Sequence, residues 1–167
     1  VVGGACTFGG DDGPATVGGE DGSAATVPPS TVGAAGLPEG RDVVVTSITD
    51  GDTFRSGDER VRLIGVDTPE VSGGVECYGR EATAALEEMI PPGTTVRLVR
   101  DVSDTDRYDR TLAYVYRVDD GLDVNLALVE RGFAVPLTVP PDVARAEEFV
   151  AASAAARDEG RGLWSAC

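Results

Sequence analysis

The sequence contains neither histidine nor lysine, and only three of its 167 residues are cysteine. Zinc in proteins is held mainly by imidazole and thiolate groups, so this composition argues against a zinc site. Long hydrophobic runs are also missing, since no stretch reaches the roughly 20 apolar residues that a membrane-spanning helix needs. These absences direct attention to the side chains that are abundant, which are carboxylates and arginines.

The charge is strongly one-sided. All 14 basic residues are arginines, and with 29 acidic residues the formal net charge is −15. Acidic chains ordinarily avoid nucleic acid, because its phosphates repel them. One interpretation is an ordinary solvated acidic surface. The other is adaptation to high salt, as in a halophilic archaeon, where the Debye length falls to about 3 Å at 1 M and close contacts alone decide binding.

Residues 1–40 show no hydrophobic pattern. They are mostly small or acidic residues and proline, with Phe8 as their single large aromatic residue and no apolar period of 2 or 3.6. Such a segment buries too little surface to offset its ordering entropy. We therefore predict a disordered linker over residues 1–40 and one folded domain over residues 41–167.

The cysteines suggest an exported protein. The small residues before Cys6 and the polar tether after it resemble a lipoprotein processing site, in which Cys6 would carry a lipid that tethers the chain to a membrane. Without an initiator methionine, we expect the chain to begin inside a longer precursor. The alternative is an ordinary free cysteine in a tail.

Cys77 and Cys167 are expected to form a disulfide that pins the C-terminus to the body of the domain. The same oxidising compartment would suit both this bond and an exported, tethered chain. The alternative is two unpaired thiols in a reducing cytoplasm.

From residue 41 the pattern predicts an α+β, mainly β domain. Five strands are expected, over residues 43–48, 53–55, 60–66, 94–99 and 111–118. Three helices are expected: one with Ala82, Leu86, Met89 and Ile90 on one face, one capped by Asp123, and one capped by Asp142. The third would bury Val143, Ala146, Phe149, Val150 and Ala154. This set favours a five-stranded Greek-key barrel of the OB type.

Two acidic turns are the features most typical of a catalytic site. Asp50-Gly51-Asp52-Thr53 forms one, and Asp67-Thr68-Pro69-Glu70 forms the other, with Arg62 shortly before it. Oxygen ligands of this kind suit Ca²⁺ or Mg²⁺, which can polarise a phosphoryl oxygen. If the turns meet in space, they form a metal-assisted phosphodiesterase site, and if they do not, they are solvated surface turns.

Arg62 and Asp67 are five residues apart, so a regular strand would direct them to opposite faces. Either Gly65 allows a bulge, or Asp67 lies beyond the strand end. A further acidic run, Asp101, Asp104, Asp106 and Asp109, lacks the glycine and glutamate of an EF-hand loop, and we interpret it as a solvated loop.

Seven ordered pieces of residues 43–165 resemble the staphylococcal-nuclease (thermonuclease) family. They are Asp50 to Thr53, Arg62 to Glu70, Tyr78 to Ala82, Thr105 to Arg110, Leu112 to Tyr116, Val124 to Val129, and Gly162 to Trp164. The resemblance implies an OB barrel that hydrolyses DNA and RNA with Ca²⁺. Cleavage at the 5′ P–O bond would leave 3′-phosphate ends.

The resemblance also implies roles for individual residues. Asp52, Asp67 and the Thr68 carbonyl match the Ca²⁺ ligands, and Asp50 matches a supporting residue behind them. Glu70 matches the residue that acts as general base or orients the attacking water.

The remaining matches concern the substrate. Arg62 and Arg110 match the two catalytic arginines that bind the phosphate, although Arg110 taken alone is an ordinary surface arginine. Arg107 and Tyr108 match a basic and aromatic pair at the nucleotide phosphate.

Three departures from the family pattern concern substrate binding. The loop at residues 71–74 is short. Thr138 and Pro140 stand where the family has aromatic residues that flank the base, a loss of about 1–3 kcal/mol per base. The family's basic surface is absent, because residues 41–167 hold 24 acidic residues against 14 arginines.

We therefore expect a monomeric, salt-adapted, calcium-dependent nuclease that is extracellular or lipid-anchored at the cell surface. The alternative is a catalytically inactive module of the cell envelope that binds nucleic acid or calcium. An inactive module would be expected to lose part of the acid and arginine set, and here the set is complete.

Overall fold

The computed structural model describes residues 36–71 and 73–167. Most of the predicted linker, and the lipid site predicted at Cys6, lie outside the described residues. The described strands are β1 (Arg41–Val44), β2 (Ser47–Asp50), β3 (Thr53–Ser56), β4 (Glu59–Leu63), β5 (Gly65–Asp67), β6 (Thr95–Val99), β7 (Thr111–Arg117) and β8 (Val135–Leu137). The helices are α1 (Gly79–Met89), α2 (Val124–Glu130), α3 (Ala146–Asp158) and α4 (Leu163–Ala166). None of these helices has the length and apolar character needed to span a bilayer.

The main sheet closes through the start of the domain. Its strand order is β1-β6-β7-β4-β3-β2, so the two edge strands follow one another along the chain. Between them, Val45 N donates to Thr94 O (2.9 Å) and Thr46 N donates to Arg55 O (2.7 Å). The continuous stretch from β1 to β2 thus forms both ends of the sheet, pairing with β6 through β1 and with β3 through β2. Within this sheet the β4–β7 pair is parallel and the other pairs are antiparallel. Together with the helices, the sheet makes an α+β domain, as predicted.

The predicted count of five strands and three helices is wrong for the described residues, which contain eight strands and four helices. The predicted strand over 43–48 is divided between β1 and β2. The strand over 60–66 is divided at Ile64, because Gly65 adopts a left-handed φ of 77°. β8 was not predicted because Pro136 stands at its centre. It pairs only with β5, so the missing N–H of Pro136 is tolerated.

The first two helices follow the predicted pattern. All four apolar residues expected on the buried face of the first, Ala82, Leu86, Met89 and Ile90, are buried. At the second, the Asp123 side chain accepts a hydrogen bond from Leu126 N (3.0 Å), which confirms the predicted cap. The buried residues of both helices and of the sheet form one hydrophobic core.

The third helix differs from the prediction. It begins at Ala146 rather than after Asp142, because the Asp142 carboxylate is bonded to Val102 N and Ser103 N instead of capping the helix. The later start moves the buried face to Phe149, Ser153 and Ala156. Of the residues predicted to be buried, Phe149 is buried, but Val143 and Val150 are 45% and 56% exposed and Ala154 is also exposed.

A buried amide fixes the corner between β4 and β5. Asn125 on α2 is fully buried, its Nδ2 donates to Ile64 O (2.9 Å), and its Oδ1 accepts from Val115 N (2.9 Å). Ile64 is the residue at which the chain leaves β4 and turns into β5. The amide therefore satisfies backbone groups that the bend would otherwise leave unpaired.

The predicted disulfide is present. Cys77 and Cys167 are joined with their Cα atoms 5.9 Å apart, and 90 residues separate them in sequence. The bond connects the segment before α1 with the end of α4.

Replacing both Cys77 and Cys167 by serine should lower the free energy of unfolding by on the order of 4–5 kcal/mol, because a loop of this length loses much chain entropy when closed. Urea denaturation of the variant and the wild type measures the difference. The reduced wild type is the matched control and should unfold at the same urea concentration as the variant. An unchanged midpoint in both would contradict the prediction.

Candidate active site

The two acidic turns meet. Asp52 follows the turn between β2 and β3, and its Oδ2 accepts hydrogen bonds from Thr68 N (3.1 Å) and Thr68 Oγ1 (3.2 Å), just beyond β5. Gly51 permits this approach, because a Cβ at that position would lie 2.7 Å from Thr68 Oγ1. The contact between the turns therefore depends on both a carboxylate and a residue without a side chain.

Arg62 lies between the two turns and is only 9% exposed. Its Nη1 donates to Leu63 O (2.5 Å) and Val66 O (2.9 Å), and its Nη2 lies 3.0 Å from both Asp52 Oδ2 and Asp67 Oδ1. The strand that carries Arg62 ends at Leu63, and after the bend at Gly65 Asp67 lies in β5, which pairs with β8. Asp67 therefore lies beyond the end of that strand, which is the second of the two alternatives left open by the sequence. A side chain at Gly65 would also collide with Phe149, 2.4 Å from Cε2.

Asp52 is an unusually basic carboxylate. Burial raises its pKa from 3.8 to about 6, and the nearby charge of Asp50 acts in the same direction. The charge of Arg62 and the hydrogen bond from Thr68 N act in the opposite direction but do not cancel the effect of burial. Burial therefore disfavours the ionised form of Asp52, and a bound cation would offset that cost.

Asp50 supports Asp52 through the backbone. Its Oδ1 accepts from Asp52 N (3.2 Å), and the β2–β3 pairing shifts register between Ile48 and Asp50. Because of this irregular pairing, Asp50 and Asp52 do not follow the alternation of side chains between the two faces of a regular strand.

The donor set at the turns fits a hard divalent cation. The oxygens of Asp52 and Asp67 already converge on one cationic nitrogen of Arg62, and oxygen donors are those that Ca²⁺ prefers. Within residues 36–71 and 73–167, no cluster of three or more His, Cys, Asp or Glu side chains forms a complete metal cage. A cation here would be held by two carboxylates together with backbone oxygen and water.

Glu70 lies at the end of the second turn with an exposed side chain. Its backbone is held by a single partner: Glu76 Oε2 accepts from Glu70 N (3.0 Å), and Glu76 N donates to Glu70 O (2.9 Å). Glu76 adjoins the disulfide at Cys77. The main chain of Glu70 is thereby fixed, while its carboxylate is free to meet solvent.

Arg110 is held by the loop that precedes β7. Its Nε donates to Asp106 Oδ2 (2.7 Å), and its backbone N donates to Asp106 Oδ1 (3.0 Å). Burial alone raises the pKa of Asp106, but the hydrogen bonds from Arg110 and Tyr108 outweigh it and lower the pKa. The interpretation of the acidic run as a solvated loop is therefore wrong for Asp106, and also for Asp101, whose Oδ2 accepts from Tyr114 Oη (3.0 Å).

The two arginines predicted to bind phosphate share one cavity of about 150 Å³. Arg62 and Arg110 contribute to its wall together with Asp106, Asp142 and a set of mainly apolar residues: Leu63, Ile64, Gly65, Val66, Leu112, Leu137 and Val139. The wall is thus mainly apolar, with two arginines and two aspartates among its residues, and a mainly apolar concavity with a few polar groups is typical of a ligand site.

The segment after β8 contributes Leu137 and Val139 to this cavity, two residues apart on one face. Thr138 and Pro140, the positions expected to flank a bound base, are exposed and are not part of the wall. Leu137 and Val139 line the cavity while remaining 41% and 57% exposed, and the correspondence of Thr138 and Pro140 to the family's base-flanking residues stays a prediction. Both wall residues are aliphatic and offer no aromatic face for stacking.

Arg107 and Tyr108 form the predicted basic and aromatic pair. Arg107 Nη2 donates to Tyr108 Oη (2.7 Å), and its Cζ lies 4.7 Å from the ring centroid. Tyr108 is 54% exposed, so the pair is at the outer tip of the loop.

Three residues of the site were missed by sequence reasoning: Asp106, Asp142 and Glu76. Each acts by accepting hydrogen bonds from the backbone or from an arginine, and acidic residues in loops ordinarily suggest solvation. The spacing of Asp106 and Arg110, four residues apart, was the one local indication of an ion pair.

Because the pKa of Asp52 is raised in the folded state, the contribution of this carboxyl to the free energy of unfolding of the metal-free protein should be smaller at neutral pH than at acid pH. Between pH 3.8 and about 6 the folded state binds this proton more tightly than the unfolded state, so the free energy of unfolding falls as the pH rises through that window. Asp52→Asn, which removes this buried charge, should therefore raise the free energy of unfolding at neutral pH.

Well below pH 3.8 this charge should no longer distinguish the variant from the wild type, since the wild-type carboxyl is then protonated in both the folded and the unfolded state. Urea denaturation without metal at both pH values measures the effect. Asp58→Asn, at an exposed turn, is the control and should show no difference at either pH. Equal stabilities of Asp52→Asn and wild type at neutral pH would refute the prediction.

Comparison with known proteins supports the resemblance noted in the sequence. Residues 60–166 match the family described as "Staphylococcal nuclease homologue". A protein named Thermonuclease from Staphylococcus intermedius is 40% identical over 110 residues, which cover 62% of this chain and 64% of that protein.

Two further relatives differ in name and length. The Succinoglycan biosynthesis protein ExoI of Rhizobium meliloti (strain 1021) is 32% identical over 127 residues, covering 72% of this chain and 63% of the relative. Endonuclease YhcR of Bacillus subtilis (strain 168) is 28% identical over 152 residues, covering 82% of this chain but only 12% of the relative. The chain thus spans less than two thirds of each of these three proteins. Because the family match covers more than half of the chain, including Arg62, Glu70 and Arg110, the protein belongs to the staphylococcal nuclease homologue family.

Proposed function

We propose that this protein is a calcium-dependent nuclease that hydrolyses the phosphodiester bonds of DNA and RNA and leaves 3′-phosphate ends. The observation that carries the proposal is the shared cavity of Arg62 and Arg110, because Arg62 also contacts the two carboxylates suited to a metal. Cation-binding oxygens and phosphate-binding guanidinium groups thus adjoin one another, which is the arrangement that phosphodiester cleavage requires.

The chain's own residues account for binding and charge stabilisation. A phosphodiester in the cavity would accept hydrogen bonds from Arg62 and Arg110, and both guanidinium groups would offset negative charge that grows on the phosphoryl oxygens. Asp106 keeps Arg110 oriented before the substrate arrives. Asp52, Asp67 and the Thr68 carbonyl would hold Ca²⁺, which would supply Lewis-acid polarisation of a phosphoryl oxygen.

Glu70 is the residue proposed to handle the proton. Its exposed carboxylate can accept a proton from water or orient that water towards phosphorus, and the 5′ oxygen then leaves with its bonding electrons. The two hydrogen bonds with Glu76 fix the main chain of Glu70 from which this carboxylate extends.

Names of the relatives favour an enzyme. Two of those described are named Thermonuclease and Endonuclease YhcR, whereas ExoI is named for succinoglycan biosynthesis. Secretion or surface tethering is proposed on separate grounds, since the disulfide between Cys77 and Cys167 suits an oxidising compartment. A lipid on Cys6 and a monomeric state complete the proposal.

The test is digestion of single-stranded DNA and RNA with and without Ca²⁺. Wild-type protein should cleave both only with the cation, and Glu70→Gln should cleave about 10²–10⁴-fold more slowly, because general acid–base groups contribute that much. Glu88→Gln, on the exposed face of α1, is the matched control and should cleave at the wild-type rate. Absence of cleavage by wild type, with binding of nucleic acid or Ca²⁺ retained, would establish the inactive module instead.

Salt adaptation makes a separate prediction. The domain carries 24 acidic residues against 14 arginines, so at low ionic strength it repels its substrate over long distances. Raising the salt from about 0.1 M to 1 M shortens the Debye length from about 10 Å to 3 Å and removes that repulsion. The KM for single-stranded DNA should therefore stay level or fall over this range, and a steep rise would contradict salt adaptation.

A further inference from the structure

Two chain segments are joined at the rim of the cavity by a pair of carboxylates. Asp142 Oδ1 accepts from Val102 N (2.9 Å) and Ser103 N (2.7 Å), and Asp101 Oδ2 accepts from Ala144 N (2.9 Å). Each aspartate thus binds the backbone of the other segment. The segments are about forty residues apart in sequence, so this junction is a long-range tertiary contact rather than a local turn.

Asp142 differs from an ordinary loop carboxylate in its burial. It is 8% exposed and lies in the wall of the cavity that contains Arg62 and Arg110. Burial by itself raises its pKa, but the hydrogen bonds donated by Ser103 and Val102 outweigh burial and hold the pKa below its usual value. The group is therefore a permanent anionic acceptor at neutral pH.

The junction leads directly into the loop that carries Arg110. Leu112 N donates to Asp104 O (3.0 Å) and Asp106 N donates to Arg110 O (3.0 Å), so residues 104–112 form a closed hairpin. Inside it, Asp106 binds the Arg110 guanidinium. The hairpin is thus held together by its own hydrogen bonds, and one of its two ends is continuous with Ser103, which Asp142 binds.

We propose that Asp142 is a positioning residue for phosphodiester cleavage, which fixes the 104–112 hairpin against the cavity and thereby places Arg110. The inference rests on the proposed nuclease function. Asp142 acts on the backbone of residues 102 and 103 and has no direct role towards the substrate. Its contribution should therefore depend entirely on the presence of the Arg110 side chain.

The experiment is a double-mutant cycle on kcat with single-stranded DNA and Ca²⁺. Asp142→Ala should lower kcat by about 10–100-fold with a smaller change in KM, because a displacement of about 1 Å in a catalytic group costs up to about 10²-fold. In the Arg110→Ala background the same substitution should lower kcat by no more than about twofold, since groups that act as a unit are not additive. Asp142→Asn keeps one acceptor oxygen and should recover most of the loss.

A matched control separates positioning from simple destabilisation. Asp120 also accepts a hydrogen bond from a backbone N–H, that of Leu122. It lies beyond the C-terminal end of β7, whereas the hairpin precedes the N-terminal end, about 20 Å away along the strand. Asp120→Ala should reduce stability without reducing kcat. Equal losses from Asp142→Ala with and without Arg110, or an unchanged kcat in Asp142→Ala, would overturn the proposal.

Hydrogen exchange provides a measurement that does not require activity. The amides of residues 102–112 should exchange faster in Asp142→Ala than in Asp142→Asn, and unaltered protection in the alanine variant would overturn the proposal. If wild type cleaves no nucleic acid, the proposed function fails, but this exchange experiment still decides whether Asp142 orders the hairpin. Should the alanine variant not fold, Asp142→Leu combined with the same exchange measurement replaces it, with the same expected and contradicting results.

Discussion

The structure of the site depends on one buried guanidinium group. Arg62 brings together two backbone carbonyls and two carboxylates that belong to separate turns, and it does so at a position only 9% exposed. A buried charge that loses its partners is strongly destabilising, so each partner must be delivered accurately. The bend at Gly65 and the amide of Asn125 serve this requirement, because they form the corner that carries Asp67 back to Arg62.

The same arrangement explains how an acidic protein could prepare the proposed site for a polyanion. Its net charge is unfavourable to nucleic acid at a distance, yet the arginines that line the cavity are oriented before any ligand binds. Asp106 orders Arg110, and Asp52 together with Asp67 orders Arg62. Preorganised charges of this kind contribute close to the substrate, where salt screens them least.

Local patterns predicted the parts of the fold that local physics determines. The buried face of α1 and the Asp123 cap followed from helical period and capping chemistry. The cap at Asp142 was wrong because two backbone N–H groups forty residues away are its partners, and nothing near Asp142 in sequence reveals them.

The site was predictable only in its composition. Acidic turns and arginines could be listed from the sequence, but their meeting was inferred from family resemblance, since Asp52 and Thr68 are sixteen residues apart and their contact requires the sheet. Asp106 was assigned to solvent because the acidic residues around it resemble a solvated run. Its partner Arg110 lies four residues further on, and this spacing is the one local indication of the ion pair.

The continuity of β1 and β2 has a consequence for the protein's behaviour at high concentration. An open sheet ends in strands whose unpaired N–H and C=O groups can recruit a second molecule and seed aggregation. Here the two terminal strands of the six-stranded sheet are consecutive parts of one stretch, which pairs on through Val45 and Thr46 with Thr94 and Arg55. Each terminal strand is therefore only four residues long, and so short an edge limits the pairing that a second molecule could make, without relying on electrostatic repulsion.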